Sequence, residues 1–119
     1  MDATDIDKEF LKKVTDVIQE NLSSSTFDVV QLADALAMSK SSLYRKTKAI
    51  IGLSPVEFIR NVRLKQGVKM LKNKSISVSE VAYICGFSNP KYFSTCFKEE
   101  FGVTPKEFQK SDTSQVSKF

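Results

Sequence analysis

The chain has 119 residues, 41% of them hydrophobic and 27% charged, with a net charge of +4. That suits one domain, or two small lobes sharing a connecting element, and is too apolar for disorder. It contains no histidine and only two cysteines, Cys85 and Cys96, so a tetrahedral zinc site and a histidine-activated nucleophile are both excluded, and no apolar run reaches the roughly 18 residues of a membrane span.

Seven helices are expected, and the fold class is all-α. An apolar stripe of Phe10, Val14, Val17, Ile18 and Leu22 predicts the first helix, over about 7–22. Asp28 with Gln31 opens a second helix over about 29–37, and a third follows over about 40–51. Ser54 with Glu57, and Pro55 at the first helical position, open a long fourth helix over about 55–72. Residues 73–77 form a hinge. Ser77 with Glu80 starts a fifth helix over about 78–85, Asn89 before Pro90 a sixth over 90–101, and Thr104 with Glu107 a seventh over 105–110. Gly52, Gly86 and Gly102 supply stops and turns, because glycine enters left-handed geometry cheaply. Residues 111–119 are expected to fray. Both cysteines fall in core-forming helices, where they act as small buried hydrophobes.

The second half of the chain repeats itself at an offset of fifty. Gly52-Leu53-Ser54-Pro55-Val56-Glu57-Phe58 returns as Gly102-Val103-Thr104-Pro105-Lys106-Glu107-Phe108. Leu43 matches Phe93, Lys48 matches Lys98 and Ile51 matches Phe101. Helices two and three are joined by Ala37-Met38-Ser39, and helices five and six by Gly86-Phe87-Ser88-Asn89. Both joints have helix-turn-helix spacing, with Met38 or Phe87 as an apolar plug. The expected organisation is a domain over 7–110. Its first helix-turn-helix spans about 26–52, a bridging helix about 55–72, and the second helix-turn-helix about 77–102.

Charge is segregated by sign. Residues 1–34 carry three Lys against eight Asp/Glu, whereas residues 35–119 carry fifteen Lys/Arg against six Asp/Glu. Such segregation favours a polyanionic partner. At 100° per residue, Leu43, Thr47 and Ile50 share one side of helix three, with Ser41, Arg45 and Lys48 opposite and Tyr44 on the flank. In helix six, Phe93, Phe97 and Phe101 face the core, and Lys91, Thr95 and Lys98 face away. The outward triads 41/45/48 and 91/95/98 sit at the repeat offset.

A major groove of duplex DNA admits a helix of this kind. Arg45 can grip guanine O6 and N7 with its fork, and Lys91 can make a less directional contact. Ser41 and Thr95 can reach a base or a phosphate, and the Thr methyl can touch a thymine. Lys40, Lys48 and Lys98 read as phosphate clamps, and the caps Ser39 and Asn89 aim backbone N–H groups where a phosphate can sit. Arg60, Arg63, Lys65 and Lys69 lie on the bridging helix, where they can contact intervening backbone. A bridge of eighteen to twenty residues spans roughly 30 Å, close to the roughly 34 Å between successive major grooves on one face. Exposed cations are more often plain solvation, and the same basic face would equally suit an acidic protein in an interaction module.

Two stretches resemble one known family. Ile84-Cys85-Gly86-Phe87-Ser88-Asn89-Pro90-Lys91-Tyr92-Phe93, then Phe97-Lys98 and Phe101-Gly102-Val103-Thr104-Pro105, look like the signature of the second reading unit of AraC/XylS transcription regulators. Ser39-Lys40-Ser41-Ser42-Leu43-Tyr44-Arg45-Lys46, with Gly52-Leu53-Ser54-Pro55, is similar to the first, and Arg63-Leu64 matches on the bridge. The resemblance covers about residues 10–109. It implies a transcription regulator, as a rule an activator, that binds promoter DNA and contacts RNA polymerase; a cytoplasmic location is expected from the acidic N-terminus without an apolar segment and from the lack of a membrane-length apolar run. No enzymatic activity, cofactor, metal or membrane contact is implied. On the matching positions, base-reading residues would be Ser41, Tyr44 and Arg45, then Pro90, Lys91 and Thr95. Two residues depart from the family pattern: Thr95 stands where many members carry Arg, and Gly67 where Ala is usual. Residues 26–60 look most like the C-terminal output domains of hybrid two-component regulators, which would place a sensory or receiver domain elsewhere in a longer chain; a small stand-alone member is the competing version.

Overall fold

The computed structural model describes residues 5–111, so the expected fraying of the tail beyond Ser111 lies outside the described residues. Seven α-helices form and no strand occurs among the described residues. They divide into two compact units, residues 5–22 with 26–62, and residues 23–25 with 63–111.

The first unit holds α1 (Asp5–Glu20), α2 (Val29–Ala35), α3 (Lys40–Ile50) and the first half of α4 (Pro55–Leu71). α1 begins two residues before the expected Asp7, with Asp5 and Asp7 in its first turn where the helix dipole favours acids. It stops at Glu20 rather than Leu22, where the chain turns back through an Asn21 N–H to Ile18 C=O bond of 3.1 Å. Phe10, Val14 and Ile18 from α1 pack with Leu32, Leu43, Phe58, Ile59 and Val62. Burying a side chain of the size of Leu43 or Ile18 is worth about 1.5–3 kcal/mol. Thr47 is fully buried among them and donates its hydroxyl to the Leu43 carbonyl at 3.0 Å, so its burial leaves no donor unpaired.

α2 ends at Ala35, two residues short of the expected Ala37. Leu36 caps it, Ala37 turns left-handed at φ 55°, Ala37 N–H reaches Asp34 C=O at 3.0 Å, and Met38 N–H reaches Ala33 C=O at 2.9 Å. This is a Schellman ending, in which the orphan carbonyls of the last turn are satisfied and the following apolar residue folds back. Met38 is only half-buried, a looser plug than expected.

The second unit repeats the device with better chemistry. It holds the remainder of α4, α5 (Val78–Ile84), α6 (Pro90–Phe101) and α7 (Pro105–Lys110). α5 closes through Gly86 N–H to Tyr83 C=O and Phe87 N–H to Ala82 C=O, both 3.0 Å, with Gly86 at φ 88°. Glycine occupies the left-handed position here, and Phe87 is 3% exposed. Ala33 and Ala82, both buried, receive the returning residue in the two units. The caps Asp28 and Ser77 lie 49 residues apart, whereas Ser39 and Asn89 lie 50 apart. The second turn is therefore one residue longer.

Phe93 stacks at a tilt on Phe87 (centroids 5.0 Å) and edge-on to Phe97 (5.7 Å), and Phe97 meets Phe101 (4.7 Å) and Phe108 (5.9 Å). Each such pair adds about 0.5–1.5 kcal/mol beyond area burial. Cys85 and Cys96 are free and buried in this core, as expected. The 73–77 segment is tied rather than hinge-like: Gln109 of α7 donates to the Ile76 carbonyl at 2.7 Å, and Asn73 accepts from Ser75 N–H at 3.0 Å.

Candidate nucleic-acid interface

Each unit presents the helix after its Schellman turn with one face buried and one free. On α3, Leu43 and Thr47 are buried, Ile50 is half-buried, and Ser41, Tyr44, Arg45 and Lys48 are exposed. On α6, Phe93 and Phe97 are buried, and Lys91, Thr95 and Lys98 are exposed, with Pro90 half-buried at the first helical position. Lys40 is exposed at the start of α3, and Arg60 is half-buried on α4. Within each unit the expected outward triad thus shares one face.

The N-termini of both helices are built the same way. Ser39 Oγ accepts from Ser42 N–H at 3.1 Å, and Asn89 Oδ1 accepts from Tyr92 N–H at 2.7 Å. One orphan amide per helix is therefore satisfied by the cap and not left for a ligand. Ser39 Oγ also donates to Ser42 Oγ at 3.0 Å, and Arg45 Nη2 reaches that same Ser42 oxygen at 3.4 Å. Ser42 is the residue that sequence reasoning missed. Its signal was the three-residue spacing to Arg45, which makes the two neighbours on a helix surface. At the repeat offset its place is taken by Tyr92, 47% exposed and resting near the Phe87 ring at 5.7 Å.

Two lysines share a second local feature. The Ser54 backbone amide, and then its hydroxyl, hold the Glu57 carboxyl below its ordinary value, and Lys48 and Arg60 add smaller pulls in the same direction. In the second unit Thr104 does the same for Glu107, with Lys98 adding its pull. Lys48 and Lys98 thus each add a minor attraction to a repeated capping carboxylate at the exposed surface.

The faces differ in charge. α3 carries Lys40, Arg45, Lys46 and Lys48 with no acid, whereas α6 carries Lys91 and Lys98 against Glu99 and Glu100. Lys46 lies 4.7 Å over the Phe10 ring on the core side of α1, away from the triad.

Arg63, expected on the bridging helix to contact a duplex backbone, is engaged within the chain instead. Its Nη1 donates to the Gly86 carbonyl at 3.0 Å and its Nη2 to the Ser24 carbonyl at 2.9 Å, both within the second unit. It pins the turn that orients α6. Burial lowers its pKa from the ordinary value. Burial also pushes the Cys85 thiol up to about 12, so it stays protonated and unreactive in the folded chain. Among the described residues no group of three or more His, Cys, Asp or Glu is arranged to hold a metal, and no helix is long and apolar enough to cross a membrane.

The pattern of two capped turns, each followed by a half-buried helix with a polar outer face, has a counterpart among known families. The helix-turn-helix domain family matches residues 32–111. The chain belongs to the AraC-type helix-turn-helix family. Histidine kinase P4 of Formosa agariphila is 36% identical over 110 residues, which cover 92% of this chain and 8% of that protein. The HTH-type transcriptional activator RhaS of Mannheimia succiniciproducens is 34% identical over 90 residues, 76% of this chain and 34% of that one. The solved DNA-binding domain of AdpA, a global transcriptional factor in complex with a target DNA, is 27% identical with a TM-score of 0.79, covering 92% of this chain and 97% of that domain. The AraC-type chain described here spans at most about a third of the length of these two curated relatives.

Proposed function

We propose that this chain binds double-stranded promoter DNA sequence-specifically and regulates transcription, with α3 and α6 entering successive major grooves. The observation that carries this reading is the repeated outward face: 41/45/48 and 91/95/98 are exposed on helices whose opposite sides are buried, each behind a capped turn. Ser41, Tyr44 and Arg45, with Pro90, Lys91 and Thr95, address base edges; Ser39, Lys40, Lys48, Arg60, Asn89 and Lys98 address phosphates. α4 has 17 residues and is about 26 Å long, slightly shorter than the roughly 30 Å expected.

The chain has no catalytic role in this reading. Its output is activation, as the likeness to the activator RhaS supports, and RNA polymerase is the protein partner this reading assigns. Its setting is a longer cytoplasmic regulator whose sensory or receiver parts lie elsewhere, as the likeness to a small fraction of a histidine kinase supports. Selection of bound fragments from random duplexes tests the function. The expected product is a motif of two blocks about one helical turn apart, whose affinity falls by about 0.9 log units per phosphate contact for each decade of salt. No enriched duplex, or a flat salt response with capture by an acidic protein instead, overturns it.

A further inference from the structure

The two units carry different readers at the same repeat position. Arg45 offers a cationic fork, whereas Thr95 Oγ1 donates to the Lys91 carbonyl of its own helix at 3.0 Å. That back-bond is one of the two rotamers open to a helical threonine. It removes the hydroxyl proton from any outward contact. Thr95 therefore has no donor for the guanine acceptors O6 and N7, nor for the adenine acceptor N7. What remains to offer is the methyl, beside an oxygen that can still accept. Thr95 is exposed on the rim of a shallow depression shared with Ser94, Lys98, Glu99 and Thr104, which leaves room for a small apolar group.

We propose that Thr95 reads a thymine through methyl–methyl contact. The proposal rests on the DNA-binding reading above and names the base that α6 selects.

The test uses the full chain and a duplex selected by it from a random pool. Each thymine of the second block is replaced singly by deoxyuridine, which deletes only the 5-methyl group. At one position the affinity is expected to fall about fourfold, the worth of one buried methyl. Thr95→Val keeps the methyl group and replaces the hydroxyl by a second methyl, and should retain that discrimination. Thr95→Ser keeps the hydroxyl and loses the methyl, and should bind thymine and deoxyuridine duplexes equally. Thr95 is exposed, and circular dichroism melts of both variants confirm folding before binding is measured. A duplex bound tightly with every deoxyuridine tolerated overturns the proposal alone. So does discrimination that survives Thr95→Ser, since a side chain other than Thr95 would then contact the 5-methyl group. Failure to enrich any duplex overturns the parent reading and this one with it.

Discussion

Gly67 lies in the middle of α4, where helix propensity alone says that alanine should stabilise by about 1 kcal/mol. Packing predicts the reverse. A Cβ at this position would stand 3.0 Å from both Cε1 and Cζ of Phe93 and 3.9 Å from Cys85 Sγ. Comfortable carbon–carbon contact begins at about 3.5 Å. Phe93 is 0% exposed and is held between the Phe87 and Phe97 rings at 5.0 and 5.7 Å, so it has nowhere to retreat. Overpacking of this kind costs about 1–3 kcal/mol. Set against the propensity gain, Gly67→Ala should destabilise by about 1 kcal/mol, a fall of about 4–8 °C in melting temperature for a unit of this size. Thermal melts followed by circular dichroism read this directly. The companion variant is Phe93→Leu, which vacates the ring edge. In a double-mutant cycle the pair should lose less than the sum of its single losses. A rise in melting temperature for Gly67→Ala, with additive behaviour in the cycle, would refute the close-packing explanation for glycine at this position.

Arg45→Ala should cost about 1–3 kcal/mol of specific binding and relax preference at one base step, whereas Lys48→Ala should weaken all sequences alike and shallow the salt slope by about one unit; unchanged sequence preference in Arg45→Ala would contradict the role of α3. Ala37 adopts φ 55° where the second unit uses Gly86, so Ala37→Gly should relieve about 1 kcal/mol of left-handed strain and raise the melting temperature, while Gly86→Ala should lower it. Glu57, Glu80 and Glu107 have folded pKa values held below the ordinary 4.5, chiefly by the backbone amides of Ser54, Ser77 and Thr104. Their contribution is fully present above that value and is lost as pH falls through the lower folded values. Melting temperature should therefore drop progressively below pH 4.5, and the triple Glu→Gln variant, which keeps an acceptor in each capping box, should show a shallower drop.

The starts of helices were the most legible part of this chain, because a capping box is a contact between residues three apart. Ser54 with Glu57, Ser77 with Glu80 and Thr104 with Glu107 make both reciprocal bonds. Asp28 makes the one-way form, accepting from Gln31 N–H at 3.0 Å. Ends were harder to read. Nothing in the side chain of Ala37 marks a left-handed residue, so α2 was expected to run through it, whereas Gly86 announces the equivalent turn. The extra residue in the second turn was legible in the joints themselves, three residues over 37–39 and four over 86–89, so the offset of fifty holds only from the caps of α3 and α6 onward. The exposed faces of α3 and α6 followed from 100° periodicity, because buried and polar positions alternate cleanly there. The engagement of Arg63 with Gly86 and Ser24, and of Gly67 with Phe93, joins residues 23 to 39 positions apart. No local pattern encodes such pairs. The Ser42–Arg45 contact was within reach of helical spacing and was overlooked because serine is common at helix N-termini.

Hydroxyl-radical footprinting on a selected duplex, read at both strands and repeated with Arg45→Ala and with Lys91→Ala, tests bipartite groove binding most directly. Two protected patches on one face of the duplex, about 10–10.5 base pairs apart and each weakened by its own variant, are the predicted result. One patch alone, or two patches that both respond to Arg45→Ala and neither to Lys91→Ala, would contradict it.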